Sequence, residues 1–184
     1  MSNKKKNTDV ALENNVAEIE VPEMEAAQDE VVIAIEEPVS KEVKQVVPAI
    51  DKHLLGYSLI VENGKALKLS PKTQNYVFYQ IATQDDDESL HIRLSGNEGG
   101  GLHSKEWISV NAIIEVLDAM KDQPIKSTIL KSVFKGGSTN NVAFLAAVLR
   151  SDEIGLLAQS EKSVFIHKLS ADYEERKTTL LNLK

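Results

Sequence analysis

Residues 131–157, KSVFKGGSTNNVAFLAAVLRSDEIGLL, hold two apolar runs separated by a Gly-Gly-Ser-Thr turn. Glycine readily adopts the left-handed backbone conformation that ends many helices, and a serine or threonine hydroxyl can accept a hydrogen bond from a free backbone N–H of the next helix. The pattern therefore predicts two helices joined by a tight turn, the second over about residues 140–151. That second helix is apolar almost all round, which is typical of a buried helix.

Helical spacing also precedes this turn, and a hairpin pattern follows it. Ser109 stands before VNAIIEVLDAM, whose apolar residues recur at helical intervals, so we expect a first helix that ends near residues 121–123. Pro124 can open the second helix, whose apolar stripe lies in KSTILKSVF. Residues 156–158 and 164–169 are predicted to be strands around the polar tip QSEKS. ADYEERKTTLLNLK then predicts a last helix that packs on the domain or forms a dimer contact.

An antiparallel sheet is predicted upstream, over residues 56–96. GYSLIVENGKALKLS contains Asn63-Gly64, a strong hairpin dipeptide, and NYVFYQIAT alternates two side-chain faces. The four acidic residues 85–88 fall where a connecting turn is expected, before the alternating strand SLHIRLSG. The glycines that follow, including residues 99–101, predict an irregular loop.

Trp107 is the sole tryptophan of the chain. We expect it to anchor the core between the sheet and the first helix, because a large aromatic side chain buries much apolar surface. The alternative is that it stacks on a nucleic-acid base, and Tyr76, Phe78 and Tyr79 carry the same ambiguity.

The first 50 residues differ from the rest in composition. They contain no aromatic residue and no glycine, and their five lysines against eleven acidic residues give a net charge of −6, whereas the remaining residues carry −1. Such a segment buries too little apolar surface to offset its chain entropy, so a disordered acidic tail is predicted. Within it, an apolar run can add a strand to a partner's sheet or dock in a groove, unless it is only linker. The run consists of Val31, Val32, Ile33 and Ile35.

Helix, helix, glycine-containing turn, helix and two-stranded hairpin follow one another over about residues 110–169. In this order the elements resemble the winged helix-turn-helix superfamily, on the turn KGGSTNN, the helix VAFLAAVL, the segment DEIGLL and the tip QSEKS. The resemblance is one of pattern and identifies no particular family. The predicted fold class is α+β: a disordered tail over residues 1–50, a small antiparallel β-sheet over 51–108, and a winged-helix-like helical region with a C-terminal helix over 109–184.

The resemblance implies a DNA-reading surface, because the third helix of winged-helix proteins usually enters the major groove. Residues 121–168 carry seven basic and four acidic side chains, a net of +3, and are the most basic part of the domain. Asparagine can pair with adenine, and hydroxyls and lysines can bind phosphates. The candidate nucleic-acid contacts are Ser138, Thr139, Asn140, Asn141 and Arg150 on the helix, with Lys126, Lys131, Lys135 and Lys162 around it. The predicted function is a non-enzymatic DNA-binding or DNA-associated regulatory protein.

A protein-interaction role is the alternative. The third helix carries one strong charge, Arg150, whereas a specific DNA interface is usually polar and strongly positive. Residues 138–141 can be a capping turn alone, and some winged-helix domains bind only proteins. On this hypothesis the chain is an accessory subunit of a larger assembly, bound through its tail or paired as a homodimer through the last helix.

Few other chemistries fit the sequence. It has no cysteine, which excludes disulfides, thiolate zinc sites and thiol catalysis, and which suits a reducing cytoplasm. The loop SGNEGGGLHSKEW lacks the Gly-Lys-Ser/Thr order of a P-loop, and neither the histidines nor residues 85–88 have metal-ligand spacing. No apolar run approaches the about 20 residues of a membrane span. We therefore expect no enzyme activity, no cofactor, no metal and no membrane partner.

Overall fold

The computed structural model describes residues 51–183 of the chain. The predicted tail and its apolar run Val31, Val32, Ile33 and Ile35 lie outside these described residues. The described part combines antiparallel sheets with helices, so the α+β class is confirmed. None of its helices is long and apolar enough to cross a membrane.

Two antiparallel sheets and three α-helices make up the described chain. The strands are β1 (Tyr57–Leu67), β2 (Tyr76–Gln84), β3 (Leu90–Asn97), β4 (Ile108–Ser109), β5 (Ile125–Lys126), β6 (Leu157–Ser160) and β7 (Ser163–Leu169). The α-helices are α1 (Val110–Asp118), α2 (Asn140–Leu149) and α3 (Tyr173–Leu181), and 3₁₀ helices cover Lys52–Leu54 and Ser127–Val133. One sheet has the order β1-β2-β3-β4, and the other has the order β5-β7-β6.

The alternation predicted for β2 and β3 is confirmed. Tyr79 and Ile81 face the core from β2 and pair with Leu94 and Ile92 of β3. Val77 completes the buried row on β2. Successive side chains of a strand point to opposite sides, so the residues between them form the outer face of this sheet, away from the core.

The hairpin predicted at Asn63-Gly64 is wrong. β1 continues through this dipeptide, and its pairing with β2 shifts register on both sides of Val61. Gly64 lies against the ring of Tyr79, where an added Cβ would come within 2.7 Å of three ring atoms. The glycine therefore serves a bulged strand that must approach a buried aromatic ring, and not a turn.

The predicted second helix takes a different form. Ser127–Val133 is a 3₁₀ helix whose preceding residue, Lys126, gives no side-chain cap, and Leu130 is its only fully buried residue. Such sparse anchoring favours a short 3₁₀ segment over a full α-helix. The two-residue strand β5 was not predicted from the sequence, and its Ile125 pairs with His167 of β7.

Hydroxyl groups support both helix starts that the sequence indicates. Ser109 Oγ accepts a hydrogen bond from the backbone N–H of Ala112 at 3.5 Å, at the start of α1. At α2 it is Ser138, and not Thr139, whose hydroxyl accepts from the N–H of Asn140. Gly137 has a φ of +103° and supplies the left-handed residue of the turn.

One hydrophobic core joins the four-stranded sheet to the helices. It includes Tyr79 and Ile92 of the sheet, Leu117 of α1 and Leu145 of α2. The last helix packs back on this core through Leu180 and the buried Tyr173. Tyr173 also donates a hydrogen bond of 2.8 Å to Asp118 at the end of α1. Burial and this hydrogen bond to Asp118 raise the pKa of the Tyr173 hydroxyl.

Candidate nucleic-acid interface

The turn before α2 brings together the first group of predicted DNA contacts. Thr139 is exposed, whereas Ser138 and Asn140 are half-buried. The side-chain amide of Asn140 donates to the carbonyl of Leu102 at 3.2 Å, and the hydroxyl of Ser138 already accepts from the backbone of α2. Of these three side chains, Thr139 alone is both exposed and outside the hydrogen bonds that form the turn.

Asn141 is not placed to contact a base, which corrects the expectation from the sequence. Its side chain is 1% exposed. The amide oxygen accepts from the backbone N–H of Ser104 at 3.0 Å, and the amide nitrogen donates to the carbonyl of Gly136 at 3.3 Å. Asn141 therefore ties the glycine-rich loop to the turn before α2.

The glycine-rich loop also covers the first turns of α2. A Cβ added to Gly101 would lie 3.1 Å from the side chain of Asn140 and 3.7 Å from the ring of Phe144. The ring of His103 packs edge-on against Phe144, and the ammonium group of Lys68 lies 5.0 Å from the centre of the same ring. Since five consecutive residues of α2 from Leu145 onward are buried as well, the helix has little free surface to insert into a groove.

Arg150 connects the end of α2 to the β6–β7 hairpin. Its guanidinium donates to the carbonyl of Val164 at 2.8 Å and to the side-chain oxygen of Gln159 at 2.7 Å. Partial burial lowers the pKa of Arg150. These hydrogen bonds give Arg150 a structural role, and its contact with DNA stays a prediction.

The four predicted phosphate-binding lysines are all exposed. Lys126 lies on β5, Lys131 on the second 3₁₀ helix, Lys135 in the turn before α2, and Lys162 between β6 and β7. None of their ammonium groups forms an ion pair with a described residue. No described carboxylate therefore neutralises these side chains.

A buried histidine lies on β7, the strand that pairs with β5 and its Lys126. His167 on β7 is 0% exposed, and its Nε2 is 2.9 Å from the hydroxyl oxygen of Ser127. Burial, with a smaller contribution from the charge of Arg150, lowers the pKa of His167 to about 4. A neutral, enclosed imidazole of this kind is a structural group at neutral pH.

The outer face of the four-stranded sheet carries a cluster of aromatic side chains. Trp107 is half-buried here and stacks on Tyr57 with ring centres 4.6 Å apart, so the prediction that it anchors the core against the first helix is wrong. Its Nε1–H donates to the carbonyl of His53 at 2.6 Å. Phe78 and Tyr76 are half-buried on the same face, because they alternate with the core residues of β2.

Arg93 lies in the middle of this outer face and was not singled out from the sequence. It is 3% exposed, its Nε donates to Gln80 at 2.7 Å, and its Nη2 forms an ion pair of 2.6 Å with Asp51. The guanidinium carbon lies 5.0 Å from the centre of the Trp107 ring. This pairing with Arg93 lowers the pKa of Asp51. The remaining nitrogen, Nη1, is buried and has no hydrogen-bond partner among the described residues.

A cleft of about 370 Å³ opens beside Arg93. Its lining combines an aromatic ring, amide and hydroxyl groups and two basic side chains, together with two carboxylates. The lining includes Phe78, Gln80, Arg93, Ser95 and Lys105, with Asp51 and Glu62 as the acidic members. The alternation of SLHIRLSG did place Arg93 on the polar side of its strand, but nothing in that pattern indicated that the side chain is buried.

Metal ligands are not grouped within residues 51–183, where no cluster of three or more His, Cys, Asp or Glu side chains could hold an ion. The acidic residues 85–88 form the turn between β2 and β3, where Asp87 accepts from the backbone of Ser89. Comparison with known proteins finds no matching family model, no matching curated protein and no matching solved structure.

Proposed function

We propose that the protein is a non-enzymatic DNA-binding protein that holds duplex DNA by its phosphates. The observation that carries this proposal is the set of four exposed lysines without an ion-pair partner among the described residues: Lys126, Lys131, Lys135 and Lys162. They lie on the segments that resemble a winged helix-turn-helix, in which helices are followed by a hairpin. Under this proposal the protein acts in the cytoplasm, which a chain without cysteine suits.

The proposed mode of binding is sequence-independent. Phosphate contacts position a protein on DNA, whereas base contacts specify the sequence. The two side chains best suited to base contacts, Asn141 and Arg150, are used in hydrogen bonds inside the protein. Since the glycine-rich loop also covers the first turns of α2, the proposal has the lysines bind the DNA backbone from outside the groove.

The test is fluorescence anisotropy of a labelled duplex titrated with the full chain at several salt concentrations. Four neutralised phosphates give a slope of about −3.6 for the logarithm of the binding constant against the logarithm of the salt concentration. The double variant Lys126→Gln with Lys162→Gln is expected to flatten that slope by about 2. Lys52→Gln with Lys72→Gln removes the same charge from exposed lysines elsewhere and serves as the matched control. Equal changes of the salt slope in both double variants would contradict the proposal that these lysines bind DNA.

A second candidate function is protein interaction without DNA contact. Three large apolar side chains favour it, because they are exposed to solvent: Leu102 at 83%, Phe165 at 55% and Leu181 at 43%. Leu181 lies on α3, the helix expected to mediate a homodimer. Sedimentation velocity of the full chain and of Leu181→Ser tests this candidate, since a dimer that persists in the variant would contradict a contact through α3.

A further inference from the structure

Arg93 is a buried side chain with an unused hydrogen-bond donor, which a ligand could satisfy. A buried donor without a partner is costly, and native proteins almost always satisfy such groups. Gln80 and Asp51 bind two edges of the guanidinium and so hold it rigidly in place. The third nitrogen, Nη1, has no partner among residues 51–183.

The cleft beside Arg93 offers two kinds of contact next to each other. Lys105 brings a second, exposed positive charge to the lining, while Ser95 and Gln80 contribute polar groups. Phe78 contributes a half-buried ring, and Trp107 covers the guanidinium nearby. A positive side chain can bind a phosphate, and a nearby aromatic ring can stack on a base. Proteins that bind unpaired nucleotides combine these two contacts.

We propose that this outer-face cleft binds single-stranded nucleic acid, with a phosphate at Arg93 and Lys105 and the adjoining base stacked on Phe78. Duplex DNA does not fit this description, because its bases are stacked and their faces are covered by neighbouring base pairs. A single strand exposes its bases to aromatic side chains while its phosphates stay charged. The inference adds a ligand class and a second surface to the proposed DNA-binding function, and it does not depend on the lysines of the helical region.

The two carboxylates of the cleft limit how tightly it is expected to bind a phosphate. Asp51 is paired with Arg93, so it keeps the guanidinium in position and cancels part of its charge. Glu62 is exposed and has no ion-pair partner among the described residues, so it repels an incoming phosphate. Glu62→Gln is therefore expected to tighten binding about 3-fold, within the range of exposed charge effects.

The sole tryptophan makes the site observable without a label. Trp107 packs on Arg93 and Tyr57, so a strand bound next to Arg93 changes its emission. We would titrate the full chain with short poly-dT, poly-U, thymidine monophosphate and inorganic phosphate, at low and at moderate salt. The expected result is saturable quenching by one or both oligonucleotides at concentrations where inorganic phosphate has no effect. The two oligonucleotides distinguish DNA from RNA as the source of the strand.

Variants distinguish the contribution of base stacking on Phe78 from that of the charge on Lys105. Phe78→Ala is expected to weaken oligonucleotide binding about 10-fold, the effect of losing one stacked base. Lys105→Gln is expected to flatten the salt dependence by about 0.7, the value for one phosphate contact of a single strand. Lys72→Gln, at an exposed lysine outside both proposed surfaces, is the matched control and should leave Trp107 quenching unchanged. Thermal melting of each variant identifies any loss caused by misfolding, and Lys105→Gln at an exposed position keeps the test valid if Phe78→Ala unfolds.

Three outcomes would overturn the inference: no quenching by either oligonucleotide at low salt, quenching by inorganic phosphate as strong as by oligonucleotide, or equal losses in Lys105→Gln and Lys72→Gln. The proposal of duplex binding has a separate test. It is contradicted if Lys126→Gln with Lys162→Gln leaves the duplex affinity and its salt slope unchanged, whatever the Trp107 emission shows.

Discussion

Two arginines with reduced exposure make different use of their donors. Arg150, at the end of α2, donates from two guanidinium nitrogens to the β6–β7 hairpin and so ties the hairpin to the helix. Arg93, on the outer face of the four-stranded sheet, is more deeply buried and yet retains a nitrogen without a partner among the described residues. In the helical region Asn141 and Arg150, two predicted DNA contacts, are used in hydrogen bonds inside the protein, whereas in the sheet one guanidinium nitrogen of Arg93 has no partner among the described residues.

This difference between Arg150 and Arg93 indicates where a ligand can be bound. A side chain whose hydrogen bonds are satisfied inside the protein gains little from a ligand, whereas an unpaired buried donor gains a hydrogen bond. We therefore expect substitutions at the internally bonded residues to change stability, and substitutions around the outer-face cleft to change binding. The following experiments test that division, from the largest expected effect to the smallest.

Acid is expected to destabilise the hairpin region through His167. Its pKa falls from 6.5 in the unfolded chain to about 4 in the folded one. The stabilisation is complete above pH 6.5 and is lost as the pH falls towards about 4, because the unfolded chain then binds the proton more readily. The free energy of unfolding should drop by roughly 2 to 3 kcal/mol between pH 7 and pH 4.5. Urea denaturation at both pH values measures this drop.

His167→Gln is the control for the acid experiment. The variant lacks the imidazole, so its stability should change much less over the same pH interval, although it is less stable than the parent at pH 7. An unchanged pH dependence in this variant would show that other groups cause the acid sensitivity.

Asn141→Ala should unfold more easily by about 2 kcal/mol. The substitution leaves the backbone N–H of Ser104 and the carbonyl of Gly136 without their partner at partly buried positions, and it removes the buried Asn141 side chain. Thermal denaturation compares it with Thr139→Ala, an exposed neighbour that should lose less than about 0.5 kcal/mol. Equal losses in the two variants would contradict the structural role of Asn141.

Arg150→Met should lower stability by about 1.5 kcal/mol through loss of the charge-assisted hydrogen bonds to Val164 and Gln159. Hydrogen exchange should speed up most in β6 and β7, because these strands lose their tie to α2. Salt-dependent duplex binding should stay as it is. A large fall in duplex affinity of the folded variant would assign Arg150 to the DNA surface after all.

Lys105→Gln is expected to have the smallest effect on stability, below about 0.5 kcal/mol, since its side chain is exposed. It is also expected to be the variant whose binding changes most relative to its stability. Combined melting and Trp107 quenching of this variant therefore test the division between the two regions most directly. If Lys105→Gln lost stability but kept its binding affinity, the division between stabilising and binding residues would be contradicted.

Much of the local structure could be predicted from short-range patterns. Alternation separated the two faces of β2, a hydroxyl marked the start of α1, and the acidic residues 85–88 marked a turn. These features depend on neighbours in the sequence, so a single sequence contains them. The last helix was also expected, from its amphipathic pattern.

Features that depend on distant residues could not be predicted. Asn63-Gly64 has the composition of a turn, but the ring of Tyr79 requires a glycine within a strand. Asn141 has the composition of a base-contacting residue, but the glycine-rich loop reaches back to bond with it. Arg93 stands among polar positions of an alternating strand, and only the approach of Asp51 and Trp107 from other parts of the chain buries it.

The irregular path of β1 has a consequence for the behaviour of the protein at high concentration. An eleven-residue strand at the edge of a sheet exposes backbone donors and acceptors that can pair with another molecule. The two register shifts around Val61 interrupt that row and increase the local twist, and Glu62 and Lys65 add charges along it. The packing of Gly64 on Tyr79 thus also protects the edge strand from aggregation through strand pairing.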